Sequence, residues 1–182
     1  NWKKYNPIKI EINNADCHLE GKFKLTGDGL DHFQFYTGTN QTSTDTNFHS
    51  IKIKLNKGSI DNIEKFKLYV RHSRNSENEI ITTHLFNILG FLAPRSALIN
   101  INVNGIDRRM IFQEDIDKNF LEFNNISESL IFEGFENGIL GSPFSPPRIS
   151  NTSYISDERM SKLAQEKYNI LAKVYLNSGF LD

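Results

Sequence analysis

Residues 66–122, FKLYVRHSRNSENEIITTHLFNILGFLAPRSALININVNGIDRRMIFQEDIDKNFLE, decide the fold, because they read as strand, helix, strand, turn and strand without a break. Phe66, Leu68 and Val70 alternate with Lys67, Tyr69 and Arg71, the period-2 pattern of a half-buried strand. Ser76-Glu77-Asn78-Glu79 fits a capping box, in which Ser76 accepts the amide proton three residues on and Glu79 reaches back to the cap amide. Ile81, Leu85, Ile88 and Leu89 recur at helical spacing, which predicts a helix with this stripe on the sheet. Gly90 and Pro94 stop it.

Ala97–Val103 alternates again and ends at Asn104-Gly105, the strongest short-range signal for a type I′ hairpin, which requires positive φ at both residues. The return strand, Asp107–Gln113, runs into Glu114-Asp115-Ile116-Asp117. Basic residues stand before the helix and acids follow the last strand. The segment reads as one half of a nucleotide-binding lobe.

Working outward toward the N-terminus, Ile8, Ile10 and Ile12 form a first strand, and Cys17–Leu25 an antiparallel partner beyond a turn at 13–16. Thr37–Asn47 has nothing to bury and reads as a mobile loop. Ile51, Ile53 and Leu55 alternate with Lys52 and Lys54 in a third strand, and Ile60–Ile63 leads on to Phe66. After Glu122 the texture changes. Pro143, Pro146 and Pro147 exclude helix or central strand. Ser156 or Asp157 caps a last helix that runs to about Asn177, with Met160, Leu163, Ala164, Ile170, Leu171, Val174 and Tyr175 as its apolar stripe. The fold class is α+β: a mostly antiparallel sheet of about six strands with one packed helix (residues 1–136), a linker (137–155), and a helix (156–182) beginning a second lobe.

The 182 residues suffice for one real core or for part of a larger domain. A net charge of −1 points to neither a nucleic-acid nor a membrane-surface partner, and no run approaches the ~20 apolar residues that span a bilayer. Cys17 stands alone, which excludes a disulfide framework and a cysteine metal cluster. A first residue other than Met, and a helix running nearly to the last residue, are expected of a piece of a longer polypeptide.

Several groupings carry candidate chemistry. Gly27-Asp28-Gly29 can present amides to phosphate, or simply turn the chain. Asp28, Asp31 and His32 lack further ligands at useful spacing, so no metal site is assigned. Among Lys52, Lys54, Lys65 and Lys67, one strand lysine would neutralise phosphates while a helix carboxylate holds it; spacing selects Lys67 with Glu77, and Glu79 competes. Alternation alone also turns lysines outward on any half-exposed strand. Arg71 and Arg74, beside the positive end of the helix dipole, form an anion site or a solvated basic loop. Glu114 lies where the hairpin leaves the sheet, and Asp117 suits a helix cap before Lys118–Phe123.

The pattern from Lys22 to Glu136 resembles the CotH-like family of atypical protein kinases. Lys24-Leu25-Thr26-Gly27-Asp28 is similar to the family's arginine–glycine turn, and Ser50–Leu55 to its strand of basic alternation. The helix Asn78–Leu89, Leu98–Gly105 ending in Asn-Gly, and Met110–Asp117 against the family's Y-x-x-x-E-x-I-D segment complete the match. The resemblance implies a kinase-like fold, ATP with Mg or Mn, phosphorylation of protein serine or threonine, and a place in the cell envelope or at its surface. Carried onto this sequence, it makes Lys52 or Lys54 the phosphate-binding lysine, Glu77 or Glu79 its partner, and Glu114 a neighbour of the hinge. The family's catalytic and metal-binding aspartates have no match here, so they are expected beyond residue 182. The alternative is a non-catalytic surface or assembly module that keeps the fold without the chemistry.

Overall fold

The computed structural model describes residues 4–12, 17–27, 49–75, 77–133, 148–151 and 155–177. The chain divides into two compact units, 1–124 and 125–182, and the sequence-based boundary at 136 falls inside the second.

The first unit is α+β, built on a curled, antiparallel six-stranded sheet in the order β1-β2-β3-β4-β6-β5. The strands are β1 (Asn6–Ile12), β2 (Cys17–Leu25), β3 (Ile51–Leu55), β4 (Lys65–Tyr69), β5 (Ser96–Val103) and β6 (Ile106–Glu114). Alternation puts Leu19, Ile53, Leu55, Phe66, Leu68 and Met110 into one apolar cluster, joined by Ile8, Ile10, Phe23, Ile99 and Phe112. Each such side chain, fully buried, contributes about 1.5–3 kcal/mol. The strands pack closely at Gly21, where a Cβ would stand 2.7 Å from the Lys54 carbonyl oxygen, so only glycine fits without a shift.

Asn104 and Gly105 have φ of 52° and 85°, as the type I′ hairpin between β5 and β6 demands. Asp61 and Asn62, at φ 50° and 64°, close a second tight turn through reciprocal backbone bonds between Ile60 and Ile63. Sequence adjacency does not reveal that β6 inserts between β4 and β5. The chain from Arg71 to Arg95 therefore crosses over β6, through a 3-10 turn (Arg71–Arg74) and helix α1 (Asn78–Ile88).

Two expectations about α1 need correction. Its cap position is Glu77, with no side-chain cap bond, and Glu79 turns to β6 instead of reaching back. Ser76 lies outside the described residues. The stripe expected on the sheet is exposed (Ile81 62%, Leu85 50%, Ile88 70%), whereas Thr83 is buried and hydrogen-bonds Ser96 of β5. Periodicity reveals a stripe; it does not reveal which neighbour the helix uses. Glu79 and Thr83, four apart, are the residues that reach the sheet.

Helix α2 (Lys118–Phe123) follows β6 and is capped by Asp117, whose side chain accepts from the amides of Asn119 and Phe120. In the second unit, β7 (Phe132–Glu133) pairs antiparallel with β8 (Arg148–Ile149), and Asn151 bonds Ser129 and Ile131 across that pair. Helix α3 (Glu158–Asn177) is capped by Asp157, which accepts from the Met160 amide. Ala164 is buried on α3, and the Tyr168 ring lies 5.9 Å from that of Phe132. The expected loop at 37–47 and the proline cluster lie outside the described residues.

Candidate functional site

The face of the sheet opposite the apolar cluster is lysine-rich over β2, β3 and β4. The register sets Lys24, Lys52, Lys67 and Gln113 in one row, and Lys22, Lys54 and Lys65 in the next. Residues directly opposite on antiparallel strands share a face, and like charges there are destabilising. The two rows set such pairs side by side.

The end of β6 delivers counter-charge. Met110, Phe112 and Glu114 alternate onto the apolar face, so Gln113 and Asp115 fall on the lysine face. Asp115 continues the ladder by one bond, its amide donating to the Lys65 carbonyl at 3.0 Å. Its carboxylate then bridges two strands: Oδ2 stands 2.5 Å from Lys52 Nζ, and Oδ1 3.4 Å from Lys67 Nζ. Asp117 Oδ2 accepts from Lys65 Nζ at 2.7 Å while its other oxygen caps α2. Lys22 and Lys24 direct their ammonium groups over the Tyr5 ring, 5.2 and 5.1 Å from its centroid.

These contacts move proton affinities. Burial pushes the Lys67 ammonium down, but Tyr69 and Asp115 outweigh it, and its pKa stands above the ordinary lysine value. Burial likewise opposes Lys65, which Asp117 chiefly, then Asp115 and Glu64, carry above that value. Tyr5 is raised by burial and then by Asp115. One carboxylate thus acts on three neighbours.

Helix α1 supplies the next group. Gln113 Nε2 donates to Glu79 Oε1 at 2.5 Å, so Glu79 reaches the row that holds Lys67. Lys52, Lys67 and Glu79 are therefore brought to one face, and Lys54 sits one row away, opposite Lys65. Of the two lysines that the resemblance offers, Lys52 and Lys54, it is Lys52 that is the cross-strand neighbour of Lys67, the choice from spacing, on one carboxylate.

The remaining candidates lie elsewhere. Glu77 pairs with Arg71 at 2.5 Å in a surface contact at the helix start, which offsets the cation there. Arg74's side chain, with Asp28, Asp31 and His32, lies outside the described residues. Glu114 faces the other side of the sheet. Its Oε1 accepts from Arg95 Nη2 at 2.8 Å, and its Oε2 from Arg95 Nε at 2.9 Å and from the Arg95 amide. That guanidinium also reaches Asp61 and lies 3.9 Å from the Phe123 ring centroid. The Glu114 hydrogen bond, against burial, holds Arg95 above its ordinary pKa.

The sequence places Lys65 among the candidate strand lysines and Gln113 and Asp115 in the stretch where the hairpin leaves the sheet, but does not show that Asp115 and Gln113 join the lysine face. Alternation through Met110, Phe112 and Glu114 was the available signal for Gln113 and Asp115, while the β4–β6 register that makes it useful has no signature in the chain. Among the described residues no three His, Cys, Asp or Glu side chains come together to hold a metal ion, and Asp115 and Asp117 are engaged by lysines. Among them, too, no helix is long and apolar enough to cross a membrane. Glu158, Arg159, Lys162, Leu163 and Glu166 line an open hollow on the surface of α3, where Glu158 and Lys162 pair one turn apart. No protein-family model matches the chain, and no curated protein matches it.

Proposed function

We propose that the lysine face binds the phosphates of ATP, as the N-terminal lobe of a CotH-like kinase that phosphorylates protein serine or threonine when joined to a second lobe. The observation that carries this reading is the convergence of Lys52 and Lys67 on one carboxylate, in a row that Glu79 joins through Gln113. Phosphoryl transfer needs little from such a lobe beyond positioned cations that offset charge on the phosphates. Among the described residues no three His, Cys, Asp or Glu side chains come together, so what this lobe offers the phosphates is its lysines.

The test is binding of a fluorescent ATP analogue to the complete protein. Replacing Lys52 and Lys67 together by Met is expected to weaken binding by about 100-fold, the scale of two charge-assisted contacts. Glu79→Gln weakens it less, and Glu77→Ala leaves it unchanged. Unaltered affinity in the double lysine variant overturns the assignment.

A second reading, a surface or assembly module without catalysis, draws support from the exposed Ile81, Leu85, Ile88 and Leu89 stripe with Phe91 and Leu92 beside it. It predicts that Leu85→Lys with Ile88→Lys lowers the assembled mass in sedimentation while nucleotide binding stays absent. A wild-type protein that sediments as a monomer removes that reading.

A further inference from the structure

The lysine face already holds an anion. Asp115 sits between Lys52 and Lys67 with one oxygen toward each ammonium, in a setting where its carboxylate is 13% exposed. It arrives there by the backbone, because its amide bond to Lys65 fixes the residue at the end of β6 whatever its side chain does. Lys52 and Lys67 are direct cross-strand neighbours, and without an anion between them their charges would repel. A carboxylate held this way is an intramolecular ligand. Its effective concentration is on the order of millimolar or higher.

Given the phosphate-binding reading above, on which this rests, any incoming anion must displace that tethered carboxylate before it can touch both lysines. We infer that Asp115 is the specificity-determining residue of this face: it excludes anions of low charge and admits only a ligand with several linked phosphates. A single phosphate exchanges one anion for another of similar reach and gains little. A linked chain also reaches cations that Asp115 leaves unneutralised. Lys22 and Lys54 lie in the adjoining row, within the same three strands, and neither forms an ion pair with a described residue. Neighbouring strands are about 4.8 Å apart, so the two rows across β2–β4 span roughly 10 Å, a distance a phosphate chain covers and a lone phosphate does not. Displaced Asp115 has Lys65 nearby, whose pKa it already raises, so its charge is not stranded.

The experiment titrates inorganic phosphate and inorganic tripolyphosphate into the full chain by calorimetry, in the wild type and in Asp115→Asn. The isosteric amide keeps the backbone bond to Lys65; Asp115→Ser serves as a second variant, and circular dichroism checks that each is folded. In the wild type, tripolyphosphate is expected to bind and phosphate to bind at least about ten-fold more weakly. In both variants each anion should bind more tightly, phosphate gaining most, so that the preference for the chain falls by about ten-fold, the scale of one displaced ion-pair contact. Tripolyphosphate binding with an unchanged preference, or weaker binding in both variants, overturns the role of Asp115 and leaves the phosphate-binding reading standing. Absence of binding by any of the three proteins overturns that reading and this inference together.

Discussion

Glu114 and Asp115 are adjacent in the chain and opposite in almost everything else. Glu114 points to the apolar side of the sheet, where its carboxylate is 2% exposed and clasped by the Nε–Nη2 edge of the Arg95 guanidinium. Asp115 points to the lysine side, where single contacts from two flexible ammonium groups hold it. A planar fork matched to a carboxylate fixes geometry, and a lysine offers a point charge on a flexible stem. The contrast separates a carboxylate that belongs to the fold from one that belongs to the site, although composition presents them as one acidic cluster.

The strongest way to break this contrast is to remove each acid in turn. Glu114→Ala removes the buried carboxylate from Arg95 and leaves its guanidinium only the exposed Asp61, and is expected to cost about 3 kcal/mol. Asp115→Asn keeps the shape and acts on partly exposed lysines, so its cost should stay near 1 kcal/mol. Urea unfolding followed by far-ultraviolet circular dichroism measures both. Equal losses would mean that Asp115 is as structural as Glu114, and the site would lose its displaceable anion.

What was legible in the sequence, and why neither partner of this pair was, is a matter of what alternation can reach. Period-2 spacing identified the strands Ile51–Leu55 and Phe66–Val70, and Asn104-Gly105 identified the β5–β6 hairpin, because these signals are local. Asp117 was legible as a cap for the same reason. The pairing of β4 with β6 is not local. It alone places Gln113 opposite Lys67 and Asp115 beside Lys52, so the candidate lysines could be named while their shared partner could not. The apolar stripe of α1 misled in the complementary way: its spacing is helical, yet Glu79 and Thr83 are the residues that reach the sheet, so the choice between Glu77 and Glu79 went unresolved until the helix was docked.

The smallest expected effect sharpens the same comparison through pH. Lys65, Lys67 and Tyr5 all bind their protons more tightly in the folded protein than ordinary lysine and tyrosine do, and Asp115 contributes to each increase. Below the ordinary values, about 10 for tyrosine and 10.4 for lysine, all three are protonated whether the chain is folded or not, and the stabilisation is fully present. As pH rises through the higher folded values the protons leave and that stabilisation is lost. Arg95 stays charged across the same range, so the Glu114 side of the sheet contributes nothing to this alkaline loss. Thermal melts from about pH 8 to about pH 11 are therefore expected to be level at first and then to fall. In Asp115→Asn the three folded values move back toward ordinary ones, so its penalty relative to the wild type should shrink as pH climbs. A penalty that stays constant across the range would show that Asp115 is held by something other than the charges of these lysines, and would return it to the same structural role as its neighbour.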